Sequence, residues 1–393
     1  MLNTAFSPWP SFTQEEADAV SQVILSNKVN YWTGTECREF EKEFAAWVGA
    51  EYAIALANGT VALDLALKAL GVTQGDEVIT TPRTFLASAS SIVTAGATPV
   101  FADVDLNSQV ITADSIKAVL TAKTKAIIVV HLAGMPAEMD AIMALSEEHG
   151  FYVIEDCAQA HGAKYKGRSV GSIGHIGAWS FCQDKIMTTG GEGGMVTTNS
   201  KALWSTMWSY KDHGKSFDAI YNREHPPGFR WLHESFGTNW RMLEVQAVLG
   251  RIQLMRMAEW TAKRQENGAA IDAAVSGFSC VRLVQVPDYI EHAEYKHYMF
   301  VKPEHLADGW TRDRIVTEIN ALGVPAFQGS CSEVYLEKAF DNTSWRPEKR
   351  LPNAVELGET SLMFLVHPTL TKEEMDKTTQ VIRTVFSKAS KWV

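Results

Sequence analysis

Between residues 51 and 200, short apolar runs alternate with helical patterns, and this alternation restricts the possible folds more than any other feature. Strands are expected at "YAIALA" (52–57), "EVITT" (77–81), "TPVFADV" (98–104), "KAIIVVHL" (125–132), "YVIED" (152–156), "AWSF" (178–181) and "GMVTT" (194–198). Most are apolar throughout, as strands covered on both faces are. Helices fit between them at "GTVALDLALKALG", "FLASASSIVTAGA", "ADSIKAVLTA" and "MDAIMALSEEHG". The alternation predicts an α/β fold, a parallel sheet covered on both faces with right-handed crossovers. Ligands of such sheets bind at the carboxyl ends of the strands, so residues that end the strands are the first candidates for chemistry. Residues 201–260 read as helix-rich, with one long pattern at 244–264. Residues 265–393 mix strands such as "YMFVKP" with helices such as "RDRIVTEINALG". The expected division is a large α/β domain with an N-terminal arm over 1–260 and a smaller α+β domain over 261–393.

Composition removes several classes of function. The net charge is -10, and a nucleic-acid surface is usually basic. Five cysteines, Cys37, Cys157, Cys182, Cys280 and Cys331, are scattered without a C-x-x-C pair. They do not read as a zinc site; free thiols suit a reducing cytosol, so a cytoplasmic location is expected. The N-terminal residues lack the basic and apolar regions of a signal peptide. No apolar run reaches the ~20 residues of a membrane helix. Neither a nucleic-acid nor a membrane partner is expected.

Three strand ends carry candidate chemistry. After "YAIALA" the chain turns through Asn58 and Gly59 and starts a helix at Thr60. Free N–H groups and the dipole at a helix N-terminus bind phosphate, although a capped glycine turn alone has the same pattern. "IEDCAQAHG" ends a strand with Glu155 and Asp156, which point to opposite faces, so at most one meets a given ligand. Gln159 and His161 follow on the loop. After "AWSF", Lys185 precedes "TTGGEGG", where backbone can approach a ligand closely. Most lysines are solvated charges; one partly desolvated in a cleft becomes a nucleophile toward a carbonyl. A phosphate cradle, a strand-end acid and a strand-end lysine together meet the needs of pyridoxal 5'-phosphate (PLP). No P-loop, G-x-G-x-x-G or G-x-S-x-G pattern supports another class.

"IEDCAQAHGAKYKGRSVGSIGHIGAWSF", the lysine and "TTGGEGGMVTTN" closely resemble the DegT/DnrJ/EryC1/StrS family of sugar aminotransferases. "LANGTVALDLAL", "GDEVITTPRTFLASASSIVTAGATPVFADVD", "HLAGMPAEMDAI", "GTNWRMLEVQAVLGRIQL" and "LPNAVELGETSLMFLVHPTLTKEEMD" extend the likeness over nearly the whole chain. The resemblance implies a fold type I PLP-dependent transferase with a mixed, mostly parallel seven-stranded sheet flanked by helices, acting as a homodimer with shared active sites. It implies that Lys185 bonds the cofactor and shuttles the proton, that Asp156 pairs with the pyridine nitrogen, and that Gln159 hydrogen-bonds the ring hydroxyl. Phe85 would stack on the ring, Gly59, Thr60 and Ser180 would hold the phosphate, and Asn239 would reach the neighbouring subunit's cofactor. Trp32, Thr33, Gln328, Ser330 and Glu333 are its candidate sugar contacts.

The implied reaction moves an amino group from L-glutamate to a nucleotide-linked 4-keto-6-deoxy sugar, a UDP-linked 2-acetamido sugar by family frequency, for lipopolysaccharide or other surface polysaccharide such as O-antigen. Alternatives are amination of a GDP- or dTDP-linked sugar at C4 or C3, and a PLP-binding regulator without turnover. Related sugar dehydratases carry histidine where this chain has Lys185, which favours amination. The sequence departs from the family in two places: "TTGGEGG" has one glycine more than the usual stretch, and "VPAFQGS" lacks the histidine many relatives carry after the proline.

Overall fold

The computed structural model describes residues 5–225, 227–228 and 230–391. Seven strands form the central sheet: β1 (Tyr52–Leu56), β2 (Glu77–Thr80), β3 (Thr98–Phe101), β4 (Thr124–Val130), β5 (Tyr152–Asp156), β6 (Ile176–Ser180) and β7 (Gly194–Thr198). Their spatial order is β1-β7-β6-β5-β4-β2-β3. The pairs β2–β3, β2–β4, β4–β5 and β5–β6 are parallel, while β7 runs antiparallel to both β6 and β1. This is the expected mixed, mostly parallel sheet. β6 and β7 are buried along their whole length, including the polar Ser180, Thr197 and Thr198.

Register decides where chemistry is possible. Val130 lies beside Asp156, and Asp156 beside Ala178. Ser180 pairs with Gly194, which also pairs with Leu56. The carboxyl ends of β1, β4, β5 and β6 therefore meet along one edge of the sheet.

One sheet face packs against helix Glu36–Val48, whose Phe40 and Phe44 meet Phe181 and Trp179 edge-on or tilted, with centroids 5.1 to 5.5 Å apart. The helix Met139–His149 covers the other face with Met139, Ile142 and Leu145. Full burial of such side chains stabilises by roughly 1.5–3 kcal/mol each.

A second, antiparallel sheet holds β8 (Val281–Leu283), β9 (His297–Val301), β10 (Ala326–Phe327) and β11 (Ser361–Phe364) in the order β8-β9-β11-β10. Helices Arg312–Ala321 and Lys372–Ala389 accompany it. The helix Glu244–Val275 links the two halves, and the expected boundary at 260/261 falls inside it. No helix among the described residues is long and apolar enough to cross a membrane.

Candidate active site

A cavity of about 990 Å³ opens at the shared strand ends, lined from the large sheet by Gly59, Thr60, Phe85, Asp156, Gln159, Ser180 and Lys185. From the small sheet's side come Tyr295, Lys296, Tyr298 and Ser330. Residues far apart in the chain thus converge because two sheets face one another across the strand ends.

The helix Gly59–Ala69 begins at the cavity. Asn58 caps it, its side-chain oxygen accepting the Val61 N–H at 3.0 Å. The first N–H groups of any helix lack intrahelical partners and are set for an anion. Only glycine fits at position 59: a Cβ there would lie 2.5 Å from Ser180 Cβ and 2.9 Å from its Oγ. The Ser180 hydroxyl and the helix start therefore face one space.

Glu155 and Asp156 do point oppositely. Glu155, on the far side, accepts from the N–H groups of Gly171, Ile173 and Gly174 at 2.9, 2.8 and 2.6 Å. It also accepts a hydrogen bond from His131 Nε2–H at 2.9 Å; the Ala137 N–H donates to His131 Nδ1 at 3.1 Å, which fixes the tautomer. Burial pushes the Glu155 pKa up, but the His131 hydrogen bond and charge and the N–H donors hold it below the usual value. Glu155 is a structural anchor for the 171–174 loop.

Asp156 faces the cavity. Its Oδ2 accepts from Ser88 Oγ at 2.8 Å and its Oδ1 from the Ala158 N–H at 3.1 Å. Burial raises its pKa, against the opposing pull of the Ser88 hydroxyl, the Ala158 N–H and the Lys185 charge. Such a carboxylate gains from a cationic partner placed against it. Gln159 accepts the Ala133 N–H at 2.8 Å through Oε1, leaving its Nε2 as the donor for a ligand. Phe85 holds its ring at the cavity with 72% of its surface exposed.

Lys185 follows β6 on a short turn, its N–H bonded to Cys182 O at 3.1 Å, while its carbonyl accepts Trp9 Nε1–H at 2.8 Å. Its Nζ stands 5.2 Å from the Tyr295 ring centroid. The glycine-rich stretch turns the chain back into β7, with Gly191 at φ +120°, a conformation side chains rarely tolerate.

Other expected residues lie elsewhere. His161 is buried beneath the sheet edge against Trp179 and Phe181. Asn239 is exposed and outside the cavity of its own chain. Trp32 packs near Trp208, with Lys215 Nζ 4.2 Å from its ring centroid, and Thr33 bonds Asn30; neither lines the cavity. Gln328 Nε2 donates to Asp313, and Glu333 accepts from Tyr335 and Arg350, also away from the lining. Ser88, Tyr295 and Lys296 were missed by the sequence reading. Ser88 follows Phe85 by three residues, one helical turn, which is a readable signal; Tyr295 and Lys296 carry no local one.

A helix start, a buried strand-end acid with two donors on its carboxylate and a strand-end lysine fit PLP, and with this sheet order they define a fold type I PLP-dependent enzyme. The chain belongs to the DegT/DnrJ/EryC1/StrS aminotransferase family, whose model matches residues 10–384. It is a PLP-dependent sugar aminotransferase. A solved aminotransferase from Psychrobacter cryohalolentis is 65% identical, with a TM-score of 0.96 over 97% of this chain and 99% of that one. A putative sugar aminotransferase from Streptococcus pneumoniae, solved in its PLP form, is 25% identical with a TM-score of 0.86 over 98% of this chain and 99% of that one. GDP-perosamine synthase of Escherichia coli O157:H7 is 40% identical over 65% of this chain and 67% of its own length. UDP-N-acetyl-3-dehydro-alpha-D-glucosamine 3-aminotransferase of Acidithiobacillus ferrooxidans is 34% identical over 91% of both.

Proposed function

We propose that this enzyme moves the amino group of L-glutamate to a nucleotide-linked 4-keto-6-deoxy sugar, a UDP-linked 2-acetamido sugar, for a surface polysaccharide. The observation that carries the reading is Lys185 in one cavity with Asp156, Gln159 and the Gly59 helix start. When bound, PLP supplies a protonated ring that draws electrons from the reacting carbon. Asp156, oriented by Ser88 and Ala158, would keep the pyridine nitrogen protonated. Gln159 Nε2 would donate to the ring hydroxyl, and Phe85 would pack against the ring. Gly59, Thr60 and Ser180 would hold the phosphate. Lys185 Nζ removes the proton from the amine-bearing carbon of glutamate and returns one to the sugar carbon, acting as base and then acid.

The choice of UDP is supported by the Acidithiobacillus relative, whose name carries a UDP-linked N-acetyl sugar; that same name favours a second reading, amination at C3. The exposed Asn239 and the 98% exposed Phe236 nearby support a homodimer with shared sites. The free cysteines support a cytoplasmic location. The test supplies L-glutamate with 3-keto and 4-keto sugars linked to UDP, GDP or dTDP and follows 2-oxoglutarate and amino sugar together. Turnover with the UDP-linked 4-keto 2-acetamido sugar is expected; turnover confined to a GDP- or dTDP-linked sugar, or to a 3-keto sugar, would replace that assignment.

A further inference from the structure

Lys185 and Lys296 are the only cationic side chains lining the cavity among the described residues of this chain. Lys185 is committed to the amino group, and the phosphate of the cofactor has the Gly59 helix start and Ser180. The amino donor brings a further anion: an amino acid carries a carboxylate on the very carbon that loses the amine. We propose that Lys296 binds the carboxylate of the amino donor. This rests on the reading above, in which L-glutamate is the donor.

The surroundings of Lys296 support that role. Among the described residues its ammonium makes no hydrogen bond or ion pair, and it stands 4.9 Å from the centroid of the same Tyr295 ring that Lys185 approaches at 5.2 Å. Both ammonium groups therefore flank one aromatic ring at the reacting end of the cavity. Asp184, the acid whose charge acts on Lys296, is engaged elsewhere: it accepts the Tyr295 hydroxyl at 2.5 Å. Burial lowers the pKa of Lys296 to about 8, with Asp184 opposing and the charges of Arg264 and Lys185 adding to the fall. A half-buried cation with no ion-pair partner among the described residues is stabilised by an incoming carboxylate.

The backbone on either side is pinned. Tyr295 N–H donates to Ala133 O at 2.9 Å, and His297 is held between Asp272 Oδ1 at 2.8 Å and Glu294 Oε2 at 3.1 Å. Lys296 thus has a fixed base from which its flexible stem reaches the ligand.

The test uses PLP-loaded wild type, Lys296→Met and Lys296→Arg. Four quantities are measured: the PLP dissociation constant, the glutamate dependence of the cofactor's spectral change, and calorimetric binding of succinate and of UDP. Succinate probes carboxylate recognition without chemistry, and UDP probes the diphosphate of the acceptor. Lys296→Met should weaken both glutamate and succinate about 10- to 100-fold, Lys296→Arg should recover most of that loss, and PLP and UDP binding should not change. Loss of UDP binding with glutamate and succinate unaffected would overturn the proposal, as would no change in any ligand. If glutamate leaves the wild-type spectrum unaltered while succinate still needs Lys296, the carboxylate site stands and the choice of glutamate as donor falls.

Discussion

Gly59→Ala tests whether backbone proximity builds the phosphate cradle. The added Cβ would lie 2.5 Å from Ser180 Cβ and 3.0 Å from Ser180 Cα. Carbon atoms pack at about 3.5–4.0 Å, so helix and strand must part by about 1 Å. Overpacking of this kind costs about 1–3 kcal/mol, partly offset by up to about 1 kcal/mol from replacing glycine in a helix. A displacement of about 1 Å in a positioning group costs on the order of 100-fold in function. We expect PLP affinity, followed by fluorescence titration, to fall by about that factor, with a smaller loss of stability in urea. Gly59→Ala/Ser180→Gly removes the first atoms struck, so it should regain most of the stability while PLP affinity stays low, because the Ser180 hydroxyl is gone too. Wild-type PLP affinity and an unchanged urea midpoint in Gly59→Ala would refute the reasoning.

Asp156→Asn should still bind PLP but slow the glutamate half-reaction at least about 100-fold in stopped-flow absorbance; a rate within threefold of wild type would remove Asp156 from the mechanism. Glu155→Gln breaks an anchor with four donors, and a disrupted buried charge network costs about 3–5 kcal/mol, which urea unfolding would register as a large fall. His161 gives a pH signature. Burial, then the charges of Lys185 and Arg264, lower its pKa to about 3, against about 6.5 unfolded. The unfolded chain therefore takes up a proton that the folded chain refuses. This contribution to stability is complete above pH ~6.5 and is lost as pH falls, by about 2 kcal/mol at pH ~5. His161→Gln should flatten the decline between those pH values by that amount in urea titrations; an unchanged slope would contradict it.

The seven strands were legible because their apolar runs are short and separated by helices. Their ends were less so. The expected strand 125–132 stops at Val130: the His131 N–H still bonds Asp156 O at 3.1 Å, but the chain turns at Ala133, whose φ is +57°. The expected strand 98–104 stops at Phe101. The large-sheet half of the site was readable because Asp156 ends a strand and Gly59 and Lys185 each follow one closely. The small-sheet half was not: Tyr295 and Lys296 sit just before β9, and only tertiary packing brings them to the cavity. The orientation of Gln159 depends on the Ala133 N–H, a backbone group with no sequence signature.

The most direct measurement is the identity of the lysine that bonds the cofactor, since Lys185 and Lys296 share the cavity. PLP-loaded protein is reduced with borohydride, digested and mapped by mass spectrometry, alongside Lys185→Ala. The account predicts the phosphopyridoxyl mass on the peptide bearing Lys185, and its absence from the variant. The same mass on the peptide bearing Lys296 in the wild type would contradict it.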